Sequence, residues 1–262
     1  MDGIALTVDR DRIGRLTIDR PSVRNALNWS AMTAFAEAIE RAHQTRSLLA
    51  LILTGGGQAF VSGGDLSELQ HYPSREDGLR LATIMGDALA RLEALPIPTI
   101  AAINGPARGG GAEIAMACDL RVMADDADIG FVHTRLGIVT AWGGGQRLLR
   151  AAGYARAMEL MMTGRVVLAK EALALGIANA LSPAGRALET ALNLCQQFVS
   201  NPPAAIQAVK RILQNGLNQT FEMALQAERH ELPPLWDTEY RREAMSRFLN
   251  KSHNSNGRGQ KI

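Results

Sequence analysis

The sequence predicts an α/β fold: buried parallel strands alternating with helices, followed by a stretch of helices alone. Three observations carry this. The runs LLALILT (48–54) and TIAAIN (99–104) are apolar without alternation and end in glycines, the pattern of strands covered on both faces. Segments with apolar residues at helical spacing lie between such runs. From Asn201 on, only helical spacing remains.

Taken in order, ALTVDR and DRIGRLTIDR alternate apolar and polar residues around a turn and predict an N-terminal hairpin. Ser30 to His43 places Met32, Phe35, Ala36 and Ile39 at helical spacing, with Ser30 as the expected N-cap. A second helix is expected from Gly78 to Leu95, stopped by Pro96 and Pro98. GGGAEIAMACD (109–119) reads as a glycine-rich entry into a short helix, and LRVMAD as the strand after it. AKEALALG (169–176) predicts a helix closed by Gly176, and IANALS a short final strand. NPPAAIQAVKRILQNG, QTFEMALQAERHEL and TEYRREAMSRFLN predict three amphipathic helices. The expected division is a core over 1–200 and a helical module over 201–262, its apolar faces packing on the core, on a neighbouring subunit, or both.

Bulk properties narrow the function classes. With 47% hydrophobic and 21% charged residues, 262 residues suffice for one large domain. A net charge of +2, with scattered Lys and Arg, argues against nucleic-acid binding. Cys118 and Cys195 stand outside any CxxC spacing, so neither a metal site nor a disulfide framework is expected. No apolar run reaches the roughly 18 residues needed to cross a bilayer, and the charged N-terminus is strand-like rather than signal-like. The expectation is a cytoplasmic protein.

Four segments carry the candidate chemistry: RNAL (24–27), SGGDL (62–66), GPARGGGAE (105–113) and GFVHTRLGIVTAWGGG (130–145). Neither a dinucleotide fingerprint nor a phosphate-cradling GxxxxGK[ST] is present. What remains is backbone chemistry. Glycines before a helix bring unpaired N–H groups and a positive dipole end close to a ligand. Two such groups on one oxygen make an oxyanion hole. Glu113, one helical turn past Gly110, is then a candidate general acid or base. The same residues also read as tight turns with a first-turn carboxylate. The stretch 130–145, mostly apolar and glycine, otherwise reads as buried core; His133 there also reads as a hydrogen-bonded core histidine, and Trp142 as simple packing. Met158, Met161 and Met162 are expected in the core, and Arg147 in an ion pair.

These segments, with TGRVVLAKEALALGIAN (163–179) and REAMSRFLNK (242–251), resemble the crotonase superfamily, the enoyl-CoA hydratase/isomerase family, over nearly the whole chain. The resemblance implies a spiral of ββα units with a C-terminal helical oligomerisation module, assembled as trimers or dimers of trimers. It implies an acyl-CoA thioester substrate, with coenzyme A as part of that substrate and no separate cofactor. Gly64 and Gly110 match the amides that hold the thioester oxygen. Arg24, Ala26, Ser62, Asp65 and Leu66 match the region lining CoA, and Phe248 and Lys251 the C-terminal positions that reach one. Glu113 matches the first catalytic glutamate of the hydratases.

His133 is the departure, because hydratases carry a second glutamate there. Asp128, five residues upstream, is expected on the opposite face of an extended segment. FVH followed by LGI and WGG is most similar to the ethylmalonyl-CoA decarboxylase branch. The leading expectation is therefore a lyase that decarboxylates a short 2-carboxyacyl-CoA, ethylmalonyl or methylmalonyl in type. His133 would contact the departing carboxylate or protonate the enolate, and Trp142 would wall the acyl pocket. An ionised Glu113 about 4 Å from the substrate carboxylate would repel it by about 4 kcal/mol at an effective dielectric of 20. A 2-enoyl-CoA hydratase or isomerase relying on Glu113 alone is the first alternative. A non-catalytic binding or scaffold protein is the second, disfavoured because a scaffold needs no oxyanion hole.

Overall fold

A computed structural model of the chain describes residues 2–256, with side chains described as far as Asn250. Contacts divide it into two compact units, Met1–Phe198 and Val199 onward.

The first unit opens with the hairpin β1 (Ile4–Val8) and β2 (Ile13–Ile18), then α1 (Trp29–Gln44) and β3 (Ala50–Gly55). The short α2 (Leu66–Leu69), the long α3 (Arg75–Glu93) and β4 (Thr99–Ile103) follow. Next come β5 (Ala107–Arg108), α4 (Gly110–Ala117), β6 (Leu120–Ala124) and β7 (Asp128–Gly130). Then α5 (Gly144–Ala152), α6 (Tyr154–Thr163), β8 (Val166–Leu168), α7 (Ala169–Ala174), β9 (Ala180–Ser182) and α8 (Ala187–Val199) complete it.

Six strands form one sheet in the order β1-β2-β3-β4-β6-β9, antiparallel only between β1 and β2. A smaller sheet runs β5-β7-β8. Every residue of β3 and of β4 is buried, which is why both read as unbroken apolar runs. Burying each of Leu51, Ile52 and Leu53 stabilises the fold by about 1.5–3 kcal/mol. Arg121 on β6 is also buried. Its guanidinium donates to the carbonyls of Ile177 (2.5 Å) and Cys118 (2.7 Å), and burial pulls its pKa below the ordinary value.

Several boundaries differ from the sequence expectations. Asn28, not Ser30, caps α1: its side chain accepts from the Ala31 N–H at 2.9 Å. The third helix begins three residues before Gly78, because Ser74 and Asp77 form a capping box ahead of its first apolar residue. Met158 and Met162 are exposed rather than in the core. The stretch 130–145 is not a buried run either. After β7 it forms a 3-10 turn (Val132–Leu136), and Leu136, Ile138 and Val139 are each more than half exposed.

The second unit contains α9 (Pro203–Asn218), α10 (Phe221–Trp236) and α11 (Glu239–Asn256). Pro203 starts α9 at its first turn, where no backbone donor is lost. Arg211 on α9 pairs with Glu231 on α10 at 2.6 Å, and the Arg241 guanidinium lies 3.7 Å from the Trp236 ring centre. Among the described residues no helix is long and apolar enough to cross a membrane.

Arg165 bonds both Glu159 of α6 and Glu171 of α7, at 2.5 and 2.7 Å. Its hydrogen bonds hold both carboxyls below their ordinary value of 4.5. A depressed carboxylate pKa contributes stability above the unfolded value, and that contribution is lost as the pH falls through the folded one. Arg165→Met is therefore expected to lower the Tm at pH 7. Thermal unfolding followed as the pH is lowered below 4.5 should show the gap between variant and wild type narrowing.

Candidate active site

The site is assembled at the ends of the central parallel strands. Asn25 is its first keystone. It is fully buried in a left-handed conformation, φ 60°. Its amide nitrogen donates to the carbonyls of Gly56, Ala59 and Phe60 at 2.9, 2.8 and 3.0 Å, and its oxygen accepts from the Arg20 N–H at 2.8 Å. This ties the loop after β3 to the RNAL segment. The Leu27 N–H donates to Gly63 and the Asp65 N–H to Leu27, at 2.8 and 2.9 Å. The Gly64 N–H between them has no backbone acceptor among the described residues.

The Gly110 N–H, at the first turn of α4, is likewise without a backbone acceptor among the described residues. The two segments converge: a methyl group on Gly63 would stand 3.1 Å from the Gly110 nitrogen. Two glycines whose amides lack a backbone acceptor among the described residues thus line one cavity from two chain segments.

Glu113 lies one turn into α4, and its side chain is only 2% exposed. Both carboxylate oxygens are engaged. Oε2 accepts from the Trp142 N–H at 2.9 Å and the Gly144 N–H at 2.8 Å. Oε1 lies 3.1 Å from His133 Nε2. His133 projects from the 3-10 turn, and its Nδ1 is buried without a hydrogen-bond partner among the described residues.

Close packing demands glycine at two points. A Cβ on Gly144 would fall 2.4 Å from Glu113 Cγ, and one on Gly110 would fall 2.0 Å from the Trp142 ring. Trp142 therefore seats its ring on Gly110 while its amide holds the carboxylate.

A cavity of about 1010 Å³ opens beside these groups. Arg24, Ala26, Ser62, Gly64, Asp65, Leu66, Gly110, Glu113, His133 and Trp142 all line it. A smaller cavity of about 470 Å³ shares Arg24, Ser62 and Arg108 with it. Asp65 also caps α2, accepting from the Ser67 N–H at 3.1 Å. The exposed side chains of Leu136, Ile138 and Val139 belong to the larger cavity's wall. Phe248 stands on α11 in the second unit, and the Lys251 side chain lies outside the described residues.

Asp128 is not a second carboxylate in the cavity, but the reason differs from the one expected. His133 is on a 3-10 turn, not an extended segment, and Asp128 is engaged by the Arg108 guanidinium, with one contact at 2.7 Å. Arg147 makes the expected ion pair, with Glu93 at 2.8 Å, and also donates to the Trp142 carbonyl at 2.8 Å. Sequence reasoning missed Asn25, Gly144 and this second Arg147 contact. Asn25 carried a signal, as a polar residue inside a quoted motif; the other two depend on approaches across the fold.

The profile of the family described as enoyl-CoA hydratase/isomerase matches residues 9–257. The chain is 35% identical over 241 residues to a short-chain-enoyl-CoA hydratase of Clostridium acetobutylicum, covering 92% of each. It is 33% identical to an ethylmalonyl-CoA decarboxylase of Gallus gallus, covering 93% of this chain and 83% of that protein. The crystal structure of an enoyl-CoA hydratase from Bacillus anthracis superposes with a TM-score of 0.89 at 31% identity, over 95% of this chain and 96% of that one. With its two sheets and C-terminal helices, the chain has the crotonase fold and belongs to the enoyl-CoA hydratase/isomerase family. It is a crotonase-superfamily acyl-CoA enzyme.

Gly144→Ala is expected to push the Glu113 carboxylate off its two amides. Turnover of an acyl-CoA substrate should fall by about 10²-fold, while the circular dichroism spectrum stays that of wild type.

Proposed function

We propose that this protein is a lyase that removes CO2 from a short 2-carboxyacyl-CoA of the ethylmalonyl or methylmalonyl type. The observation that carries this reading is the 3.1 Å contact between Glu113 Oε1 and His133 Nε2. A hydration site built on two free carboxylates would have a second acid where this chain has an imidazole bonded to the first.

In this reading the Gly64 and Gly110 amides hold the thioester oxygen. The C–C bond to the carboxylate breaks, its electron pair enters the thioester as an enolate, and CO2 leaves. Each oxyanion donor lowers the barrier by about 3–4 kcal/mol. No base is needed for that step. The site must orient the carboxylate, exclude water and return a proton.

The His133–Glu113 pair also addresses the electrostatic problem. A bare Glu113 would repel the substrate carboxylate by several kcal/mol. An imidazolium held by Glu113 offsets this, its Nε2–H donated to Oε1. Once CO2 has left, the imidazolium returns a proton to the enolate carbon, and the neutral imidazole regains one from water. Glu113 acts by orienting the ring and stabilising its charge.

Hydration of a 2-enoyl-CoA is the second reading, favoured by the 35% identity to a short-chain-enoyl-CoA hydratase. There Glu113, as the single acid/base, would take the proton of a water adding to C3. One comparison separates the two. Ethylmalonyl-CoA or methylmalonyl-CoA is offered to the protein with CO2 release measured, and crotonyl-CoA with loss of enoyl absorbance. CO2 release that His133→Ala reduces more than tenfold, with little change in Tm, is the expected result. Efficient hydration without CO2 would sink the first reading.

A further inference from the structure

Arg147 lines neither cavity. It nevertheless holds the segment on which the site's carboxylate depends. We propose that Arg147 is a positioning residue that fixes Glu113 and the Gly110 amide through Trp142. The proposal rests on the reading that Glu113 and Gly110 belong to the reaction site.

Arg147 projects from the first turn of α5, and its side chain is 11% exposed. Nη1 donates to the Trp142 carbonyl at 2.8 Å. Nε and Nη2 both donate to Glu93 Oε2, at 3.1 and 2.8 Å, so the fork is anchored on the last residue of α3. The guanidinium also lies against Gly143, where a Cβ would fall 2.7 Å from Nη1.

The clamped segment has little intrinsic order. Residues 143–145 are three consecutive glycines, and Gly143 has φ +90°. Glycine backbones lose the most freedom on being fixed, so such a run drifts unless something holds it. The amides of Trp142 and Gly144 are the two that grip Glu113 Oε2. The Trp142 ring is also the group packed on Gly110. Holding one carbonyl therefore sets the direction of the carboxylate and the seat of one oxyanion donor. A lysine cannot replace this fork, which grips a carboxylate and a carbonyl at once.

The test uses the full chain as Arg147→Ala and Glu93→Gln. With whichever thioester the wild type turns over, Arg147→Ala is expected to lower kcat by 10- to 100-fold, with KM within threefold. Guanidinium at about 20 mM should restore kcat at least fivefold and leave wild type unaffected. Glu93→Gln, which keeps an acceptor, should lose no more than about threefold. In protein with ¹⁵N-labelled histidine, the His133 Nε2 signal, assigned by its absence in His133→Gln, should move or broaden in Arg147→Ala because its partner is released. That signal is independent of turnover, so an inert wild type would overturn the acyl-CoA reading while the spectrum still decides the role of Arg147. A His133 signal unchanged in a folded Arg147→Ala variant overturns the proposal. So does a loss of kcat that merely follows the folded fraction and that guanidinium does not reverse.

Discussion

The site turns on the three hydrogen bonds that fix the Glu113 carboxylate. A carboxylate with 2% of its side chain exposed is costly unless its oxygens are satisfied. Here two backbone amides take Oε2 and an imidazole takes Oε1. Each partner comes from the stretch after β7, so satisfying one buried acid forces that stretch to fold across the start of α4. The Trp142 ring then falls on Gly110, and His133 falls beside the cavity. The Trp142–Gly110 contact and the Glu113–His133 pair are thus products of one packing solution.

The constraint also shapes the surroundings. α4 is buried at every residue, and its first residue must be glycine because the Trp142 ring fills the space a Cβ would need. Asn25 does the matching work on the other side, holding the loop after β3 with three donated bonds. Two buried polar side chains, Asn25 and Glu113, thus shape the site; the wall beyond it is apolar, with Leu136, Ile138 and Val139 turned toward the cavity rather than into the core.

Much of this was legible in the residues. β3 and β4 are covered on both faces, so their apolar runs could be read directly. The glycine clusters marked the close approaches, and Glu113 followed from its spacing to Gly110. Other features resisted for physical reasons. Helix starts were misplaced where polar capping residues precede the apolar periodicity, as at Asn28 and Ser74. The stretch 130–145 looked like core because a cavity wall and a protein interior share one composition. Arg147 was readable as an ion pair, but its grip on the Trp142 carbonyl depends on a backbone path that no spacing encodes.

The most direct test of the account is a crystal structure with a non-hydrolysable short 2-carboxyacyl-CoA analogue. The carbonyl oxygen that stands for the thioester oxygen should lie about 3 Å from both the Gly64 and Gly110 nitrogens. Glu113 should remain bonded to His133. A carbonyl directed away from both amides, or a Glu113 that has released His133, would contradict it.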